Sequence, residues 1–275
     1  MLKDNHNKLK CPDCGADISL SGSSFICNGE RRHCFDVSSD GYVNFVHTSG
    51  NGDSKEAVAA RRAFLDSGYY APLKDEIKSI LDTYSVSSGL VADMGCGDGY
   101  YSVGLAENKE LFVFGCDLSK FAVRAAAKRA KALELKDNTL YAVASVFDSP
   151  LKDGVCSAVI NLFAPCAEEE YKRILSDDGI LIVVGAGVDH LLELKRMIYD
   201  NARLNDERKD LPQGMRLCET KTLSYKFSPT VTEREALFKM TPYYYKTSIS
   251  DKQKLKEAPT SEIGAEFNIY IYKKH

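Results

Sequence analysis

The sequence predicts an α/β fold, in which a parallel sheet carries helices on both faces and follows a small metal-binding segment. Between residues 89 and 199, short apolar runs alternate with segments of helical periodicity, which is the pattern of such sheets. One run ends in an acid and a glycine-rich loop, and the first 46 residues carry several cysteines. The 275 residues suffice for one large domain and one small one.

The individual elements follow from periodicity and from the residues that begin or end them. Gly68 ends one predicted helix, and Pro72 suits the first turn of the next. Thr232 and Glu235 have capping-box spacing before a later helix. In order, we expect helices at 54–66, 72–84, 100–108, 119–133 and 191–199, strands at 89–92, 111–116, 140–144, 158–163, 180–185 and 266–273, and an extended segment at 215–227.

The glycine-rich loop predicts a site for a nucleoside-containing ligand. The apolar run 89–92 ends in Asp93, and Gly95, Gly97 and Gly99 then alternate with other residues. Glycine has no Cβ, so such a loop lets the backbone approach a ligand closely, although a plain tight turn is the alternative. Asp117 ends the next apolar run, where a neighbouring strand tip can bind ribose hydroxyls.

The spacing of the glycines favours S-adenosylmethionine over NAD as the ligand. The dinucleotide fingerprint is G-x-G-x-x-G and places a pyrophosphate on a helix N-terminus. Here the third glycine comes one residue early, and an acid precedes the first. S-adenosylmethionine has no pyrophosphate, and its positive amino group and sulfonium suit the neighbouring carboxylates. Asp93 itself either shapes the loop or contacts the amino group.

Composition sets limits on location and partners. The 36 Lys and Arg residues nearly balance 39 Asp and Glu, so a nucleic-acid partner would need a local basic surface. No apolar run reaches the roughly 20 residues that span a bilayer, and the first ten residues lack a signal-peptide core. We therefore expect a soluble cytoplasmic protein without membrane contact. Its nine cysteines do not suggest a disulfide framework.

The N-terminal cysteines have the spacing of a zinc site. Cys11 and Cys14 form a Cys-x2-Cys knuckle, and Cys27 follows thirteen residues later. So small a segment has few aliphatic residues, and a bound zinc ion would supply the missing folding energy. The fourth ligand is one of two neighbours, because adjacent residues hardly ligate the same ion without strain. We favour His33, with Cys34 as the alternative.

An ordered set of motifs over nearly the whole chain resembles the zinc-containing guanine-N1 methyltransferases of bacterial 23S ribosomal RNA. The set includes Cys11-Pro12-x-Cys14, Gly41-Tyr42-Val43-Asn44, Ala60-Arg61-Arg62-Ala63-Phe64-Leu65, Gly68-x-Tyr70-x-Pro72-Leu73, Gly95-Cys96-Gly97-Asp98-Gly99-Tyr100-Tyr101, Asp117-Leu118-Ser119-Lys120, Ala164-Pro165-Cys166, His190-Leu191-x-Glu193-Leu194-Lys195 and Met240-Thr241-Pro242. A proline common ahead of the His-Leu motif in that family is absent here.

The resemblance implies a class I (Rossmann-like) methyltransferase domain with a seven-stranded, mostly parallel sheet after an N-terminal zinc-binding domain. We expect a zinc-binding RNA-recognition module at 1–46, a linker at 47–56 and the S-adenosylmethionine-dependent domain at 57–275. The implied reaction is methyl transfer to guanine N1 in a hairpin of 23S rRNA. The implied assembly is a homodimer.

The resemblance also assigns residues to both sites. Zinc would be held by Cys11, Cys14, Cys27 and His33. With the acids and glycines of the loop, the expected cofactor-binding residues are Tyr70, Asp93, Gly95, Gly97, Asp98, Asp117 and His190. Tyr70 has an alternative interpretation as ordinary core packing. Cys166 has no His–acid partner placed by the sequence, so we expect it to be packed rather than nucleophilic.

The loop after the fourth predicted strand is expected to face the target base. Phe163 could stack on a base taken out of its stack, and Glu168, Glu169 or Asp189 could accept the N1 proton. Candidate RNA contacts are Arg31, Arg32, Arg61 and Arg62, the helix 119–133 with Lys120, Arg124, Lys128, Arg129 and Lys131 on its polar positions, and Tyr42 and Phe45 for stacking. The alternatives are a methyltransferase acting on a small metabolite and a non-enzymatic RNA-binding module.

Overall fold

A computed structural model describes residues 5–47, 52–259 and 261–275. Its strands are β1 (Ile18–Ser21), β2 (Ser24–Cys27), β3 (Cys34–Asp36), β4 (Tyr42–Asn44), β5 (Gly89–Met94), β6 (Leu111–Asp117), β7 (Thr139–Val143), β8 (Cys156–Leu162), β9 (Leu175–Ala186), β10 (Arg216–Phe227) and β11 (Ile263–Lys273). Its helices are α1 (Lys55–Leu65), α2 (Ala71–Thr83), α3 (Tyr100–Ala106), α4 (Lys120–Ala132), α5 (Glu168–Ile174), α6 (Leu192–Ile198), α7 (Val231–Lys239) and α8 (Ile249–Glu257).

The main sheet has the strand order β10-β11-β9-β8-β5-β6-β7-β4. The six strands from β9 to β4 run parallel, and β11 and β10 add two antiparallel pairings at the other end. The order reverses between β5 and β8, which is the point where ligands bind at the carboxyl ends of such sheets. The predicted α/β class is confirmed.

The sheet has eight strands where seven were expected. The extra strand is β4, which pairs in parallel with β7 through Tyr42 and Tyr141, Val43 and Ala142, and Asn44 and Val143. Val43 is fully buried, so pairing with β7 removes an apolar side chain from water as well as extending the sheet. This strand lies within the first 46 residues, next to the hairpin sheet formed by β1, β2 and β3.

The N-terminal segment and the main sheet share one hydrophobic cluster. Phe25, Phe35 and Phe45 pack together, with ring centroids 5.1 Å apart for the Phe35–Phe45 pair and 6.2 Å for Phe25–Phe45. The same cluster contains Phe112 and Phe114 of β6. Phe45 is buried in this cluster and Tyr42 is buried in a second core cluster, so neither offers a ring for stacking on RNA. That part of the expectation is wrong.

Several local predictions are corrected by the structure. The capping box of α7 is formed by Thr230 and Glu233, two residues before the predicted pair Thr232 and Glu235. Helices α5 and α8 were not predicted, because each is short and its apolar positions are few. Of the predicted linker, residues 48–51 lie outside the described residues, and α1 already begins at Lys55. Within the described ranges, no helix is long and apolar enough to cross a membrane.

Candidate active site and metal centre

The glycine loop connects β5 to α3 in a conformation that needs glycine at three positions. Gly95, Gly97 and Gly99 have φ values of +92°, +53° and +75°, which side chains other than glycine rarely adopt. A Cβ on Gly95 would also lie 2.4 Å from the Cβ of Ala164, and one on Gly99 would lie 2.8 Å from the Cβ of Ala126. The loop therefore packs tightly against its neighbours, while a Cβ on Gly97 would meet no atom closer than 3.8 Å.

Asp117 ties the tip of β6 to this loop. Its Oδ2 accepts a hydrogen bond from the Gly97 N–H at 3.1 Å, and its Oδ1 accepts one from the Ser119 N–H at 2.7 Å. Burial raises the pKa of Asp117, and the two N–H donors oppose that rise. The carboxylate lines a cavity beside the loop, so it is placed to reach a ligand as well as to hold the backbone.

Asp93 and Asp98 are fixed by contacts within the protein. Asp93 is buried at the end of β5 and accepts a hydrogen bond from Ser102, and burial raises its pKa to about 7. Asp98 is also buried and pairs with the Arg129 guanidinium, which in turn contacts Asp66 at 2.6 Å. Arg129 is therefore a buried loop anchor, although the sequence placed it on the polar face of α4.

Two cavities open at the carboxyl edge of the sheet and share a wall. The smaller has a volume of about 380 Å³ and lies against the glycine loop and Asp117. The larger has a volume of about 760 Å³ and lies between the ends of β8 and β9, the segment 205–210 and the segment 239–245. The shared wall includes Asp53, Arg61, Tyr70, Phe163 and Met240.

Tyr101 provides a polar group for a ligand in the smaller cavity. Its hydroxyl is buried and has no hydrogen-bond partner among the residues described by the structure. Because a buried polar atom without a partner costs roughly 1–3 kcal/mol, a ligand that supplies one gains affinity. The loop with its open backbone, the carboxylate of Asp117 and this hydroxyl together fit a polar, positively charged nucleoside ligand such as S-adenosylmethionine.

Tyr70 and His190 form a hydrogen-bonded pair at the shared wall. The Tyr70 hydroxyl lies 3.2 Å from His190 Nε2, while His190 Nδ1 accepts the Glu266 backbone N–H at 3.1 Å. Burial lowers the pKa of His190 from 6.5 to about 4, so its imidazole is neutral at pH 7. With Nδ1 accepting, Nε2 carries the proton and donates to Tyr70. The Tyr70 O–H is then available as a donor to a ligand.

Phe163 lies between the two cavities in a strained backbone conformation. Its φ is +57°, which is uncommon for a residue other than glycine and is concentrated at functional sites. About half of its side chain is exposed (48%), and its ring lies 5.9 Å from that of Phe267. The structure therefore presents an aromatic face at the boundary of both cavities, where the sequence expected a stacking residue.

The three acids expected to accept the N1 proton do not line either cavity. Glu168 pairs with Lys172 at 2.7 Å and accepts the N–H groups of Gln213 and Gly214, and Lys172 holds its pKa below the usual value. Glu169 is exposed and also pairs with Lys172, at 3.2 Å. Asp189 is exposed and is not among the residues that line either cavity.

The larger cavity contains residues that sequence reasoning missed. Asn205, Asp206, Arg208 and Asp210 come from one irregular segment between α6 and β10 that has no periodicity to mark it. Arg208 is held there by the carbonyl oxygens of Val184 (2.9 Å) and Ala164 (2.7 Å). No pattern in the sequence marks this segment, because its contacts depend on the tertiary fold.

The four predicted zinc ligands lie close together in the structure. Cys11 Sγ lies 3.4 Å from His33 Nδ1, Cys14 Sγ lies 3.3 Å from Cys27 Sγ, and the four ligand atoms are all within 4.8 Å of one another. Tetrahedral ligands about 2.3 Å from an ion stand roughly 3.8 Å apart, so the set fits one zinc ion. The Asp13 carboxylate lies beside the cluster, with Oδ2 3.9 Å from His33 Nε2 and Oδ1 2.7 Å from His47 Nε2.

Cys34, the alternative fourth ligand, stays outside this group. Its side chain is exposed, and its Sγ contacts Asp36 Oδ1 at 3.8 Å. Adjacent residues in an extended strand point to opposite sides, and Cys34 begins β3 directly after His33. The geometry therefore separates the two candidates and favours His33.

Two of the candidate RNA-contacting cations are exposed beside the metal centre, and others form ion pairs with aspartates. Arg31 and Arg32 are exposed beside the metal centre, and Arg32 has a φ of +47°. Arg62 pairs with Asp66 at 3.4 Å, and Arg61 pairs with Asp53 at the cavity wall. On α4, Arg124 and Lys128 both pair with Asp40, at 2.5 and 3.5 Å.

Comparison with known proteins assigns the class. A family model described as a methyltransferase domain matches residues 86–256, which is more than half of the chain. That range contains the glycine loop, Asp117, Phe163 and the strands around the point where the sheet order reverses. The protein is a methyltransferase with a Rossmann-like sheet.

Three relatives narrow the assignment. The chain is 37% identical over 70% of its length to the "23S rRNA (guanine(748)-N(1))-methyltransferase" of Streptomyces fradiae, of which it covers 69%. It is 30% identical to the "Putative 23S rRNA (guanine-N(1)-)-methyltransferase YxjB" of Bacillus subtilis, with 96% of both chains covered. The "Putative 23S rRNA (guanine-N(1)-)-methyltransferase" of Micromonospora griseorubida is 28% identical, and the match covers 83% of this chain and 80% of the relative. The chain belongs to the family of 23S rRNA (guanine-N1)-methyltransferases.

Proposed function

We propose that this protein methylates N1 of a guanine in a hairpin of 23S rRNA, with S-adenosylmethionine as the methyl donor. The observation that carries the proposal is the pair of joined cavities in a chain of this family, with Phe163 at their boundary. One cavity has the glycine loop and carboxylates that suit the donor, and the other is large enough for a nucleobase. A methyl donor and acceptor held in adjoining cavities are aligned for transfer.

In this proposal the smaller cavity binds S-adenosylmethionine, which supplies an activated sulfonium methyl group when bound. Asp117 binds the ribose hydroxyls, and Gly95 and Gly97 allow the backbone close to the nucleoside. Asp93 and Asp98 keep the loop in shape through Ser102 and Arg129. Tyr70, with its hydroxyl oriented by His190, supplies a donor at the reacting end.

The larger cavity binds the target guanine. Enzymes that modify a base usually take it out of its stack, and the lost stacking has to be replaced in the pocket. The exposed ring of Phe163 can supply that stacking, and Tyr245, which is 70% exposed at the same cavity, offers a second aromatic face. Lys239 and Arg61 line the cavity and supply positive charge near the RNA backbone.

The N-terminal segment is the proposed RNA-recognition module. We keep the division into a zinc-binding module at 1–46, a linker at 47–56 and a catalytic domain at 57–275, supported by the Cys/His cluster and by the exposed Arg31 and Arg32 beside it. β4 belongs to this module in sequence and to the main sheet in space. A ribosomal substrate implies a cytoplasmic enzyme. We propose a homodimer from the family resemblance, and light scattering of the purified protein tests it.

The test is primer extension on RNA modified by the purified protein. N1 methylation blocks Watson–Crick pairing, so reverse transcriptase should stop one nucleotide before the modified guanine. We expect a stop on unmodified 23S rRNA only when protein and S-adenosylmethionine are both present. Absence of any stop, with methyl transfer to a small acceptor instead, would replace the proposal with the small-metabolite alternative.

A further inference from the structure

The larger cavity contains one carboxylate that is left without a partner. Three aspartates line this cavity: Asp53 pairs with Arg61, Asp210 pairs with Arg208 at 2.9 Å, and Asp206 is the third. Among residues 5–47, 52–259 and 261–275, no hydrogen bond or ion pair to the Asp206 carboxylate is present. Its oxygens are therefore free to accept protons from a ligand in the cavity.

Asp206 is held in place by the residues on either side of it. Asn205 Nδ2 donates to the carbonyl oxygens of His190 at 2.8 Å and Gly187 at 3.0 Å, and its backbone N–H donates to Val188 at 2.9 Å. Two residues further on, the Arg208 guanidinium is bound to backbone carbonyls at the ends of β8 and β9. A short segment fixed at both ends holds the backbone of Asp206 beside the cavity, while its side chain is exposed.

The neighbouring Lys195 does not form an ion pair with the Asp206 carboxylate. Burial lowers the pKa of the Lys195 ammonium group, and the charge of Asp206 opposes that shift. Lys195 Nζ is bound to Asn205 Oδ1 at 2.6 Å and to the Arg203 carbonyl at 3.1 Å. The cationic side chains that line this cavity are Arg61, Arg208 and Lys239, and the first two already have aspartate partners. Lys239, the last residue of α7, also lines this cavity.

A free carboxylate at this place matches the chemistry of the target. The Watson–Crick edge of neutral guanine presents two donors, the N1 hydrogen and the exocyclic amino group, and a carboxylate has two acceptor oxygens to meet them. N1 has no lone pair available for attack until its proton leaves. The group that recognises this edge is therefore also placed to remove the proton.

We propose that Asp206 is the catalytic residue that binds the Watson–Crick edge of the guanine and accepts its N1 proton; this rests on the proposed function. In the transfer, the N1–carbon bond forms as the sulfur–carbon bond breaks. The electron pair of that bond returns to sulfur, which becomes a neutral thioether, and the N1 proton passes to the Asp206 carboxylate. The positive charge of the sulfonium and the negative charge of the carboxylate both disappear, so charge balances.

The experiment compares Asp206→Asn and Asp206→Glu with Asp200→Asn as the matched control, since Asp200 is an exposed aspartate of the same segment between α6 and β10 and lies outside both cavities. Single-turnover methylation of the RNA hairpin is measured across a range of pH, together with RNA and S-adenosylmethionine affinities. At neutral pH we expect Asp206→Asn to slow transfer by a factor of about 10²–10⁴, the usual contribution of a general base, with cofactor affinity unchanged.

The pH profile separates proton removal from a structural role. Raising the pH ionises guanine N1 without help, so the rate of Asp206→Asn should climb towards that of the unchanged protein, and Asp206→Glu should recover part of the rate at neutral pH. A rate for Asp206→Asn near that of Asp200→Asn, or a defect that is the same at every pH, overturns the proposal. If Asp189→Asn alone shows the pH-dependent loss, Asp189 is the acceptor instead. If the unchanged protein leaves no N1 mark, the proposed function itself fails.

Discussion

At the scale of single residues, substitutions at two glycines can distinguish the effect of backbone strain on stability from the effect of filling a ligand-binding cavity. Gly97 in the loop and Gly154 in a distant turn have φ values of +53° and +65°, and a Cβ on either would meet nothing closer than 3.8 Å. A side chain at each position should therefore cost a similar amount of folding free energy, of order 1–2 kcal/mol. Only at Gly97 does the added side chain enter a cavity.

We expect Gly97→Leu to abolish S-adenosylmethionine binding and Gly154→Leu to leave it intact. Isothermal titration of the purified variants gives the affinities, and urea unfolding checks that both lose comparable stability. Retained affinity in Gly97→Leu would show that the loop does not bind the cofactor.

Two buried titratable residues give stability contributions of opposite sign. His190 has a folded pKa of about 4, lowered from 6.5, so the unfolded chain binds more protons between those values and stability falls as the pH drops through that window. Asp93 has a folded pKa of about 7, raised from 3.8, so its contribution is present at low pH and is lost as the pH rises through 7. A comparison of variants is needed to separate them.

His190→Gln should remove the loss of stability that the unchanged protein shows at low pH. The contribution of Asp93 is the same in both proteins, so it cancels when their unfolding free energies are compared. From pH 6.5 to pH 4 we expect the unchanged protein to lose roughly 3 kcal/mol more of unfolding free energy than the variant does. Urea denaturation at a series of pH values measures the difference. Parallel stability curves would mean that His190 is not buried in its neutral form.

At the scale of elements, prediction from sequence succeeded where a repeating pattern or fixed spacing exists. The strands of the parallel sheet, the glycine loop and the Cys-x2-Cys knuckle all have such signals. The segment 200–212 has none, because Asn205 and Arg208 are positioned by carbonyl groups of strands far away in the sequence. None of β1 to β4 is among the expected strands, because three or four residues are too few to show periodicity.

The metal centre can be tested by comparing a cysteine of the four-ligand cluster with a cysteine outside it. Cys11 belongs to the four-ligand cluster, whereas Cys34 is exposed and faces Asp36. Cys11→Ser should lose bound zinc and weaken RNA binding, with S-adenosylmethionine affinity largely kept, while Cys34→Ser should keep its metal. Metal analysis of the purified proteins and RNA filter binding are the measurements. Full zinc content in Cys11→Ser would refute the assigned ligand set.

At the scale of the whole molecule, the shared cluster predicts that the hairpin and the sheet unfold together. Phe45 is 3% exposed and lies between the hairpin rings and the sheet. Phe45→Ala should cost about 3–5 kcal/mol, because it leaves a cavity at this junction. Zinc release and loss of the sheet, followed by a metal dye and by circular dichroism, should shift to lower urea concentration by the same amount. A shift in zinc release alone would show two independent units.

The position of β4 has a consequence for how the chain is made. β4 leaves the ribosome before its partner β7, which follows about a hundred residues later, with Tyr42 paired to Tyr141. The edge strand of the sheet is thus synthesised before the strand with which it pairs. Until β7 has been synthesised, Val43 and Phe45 cannot pack against the sheet. Early binding of zinc by the neighbouring cysteines would stabilise the N-terminal segment during this interval.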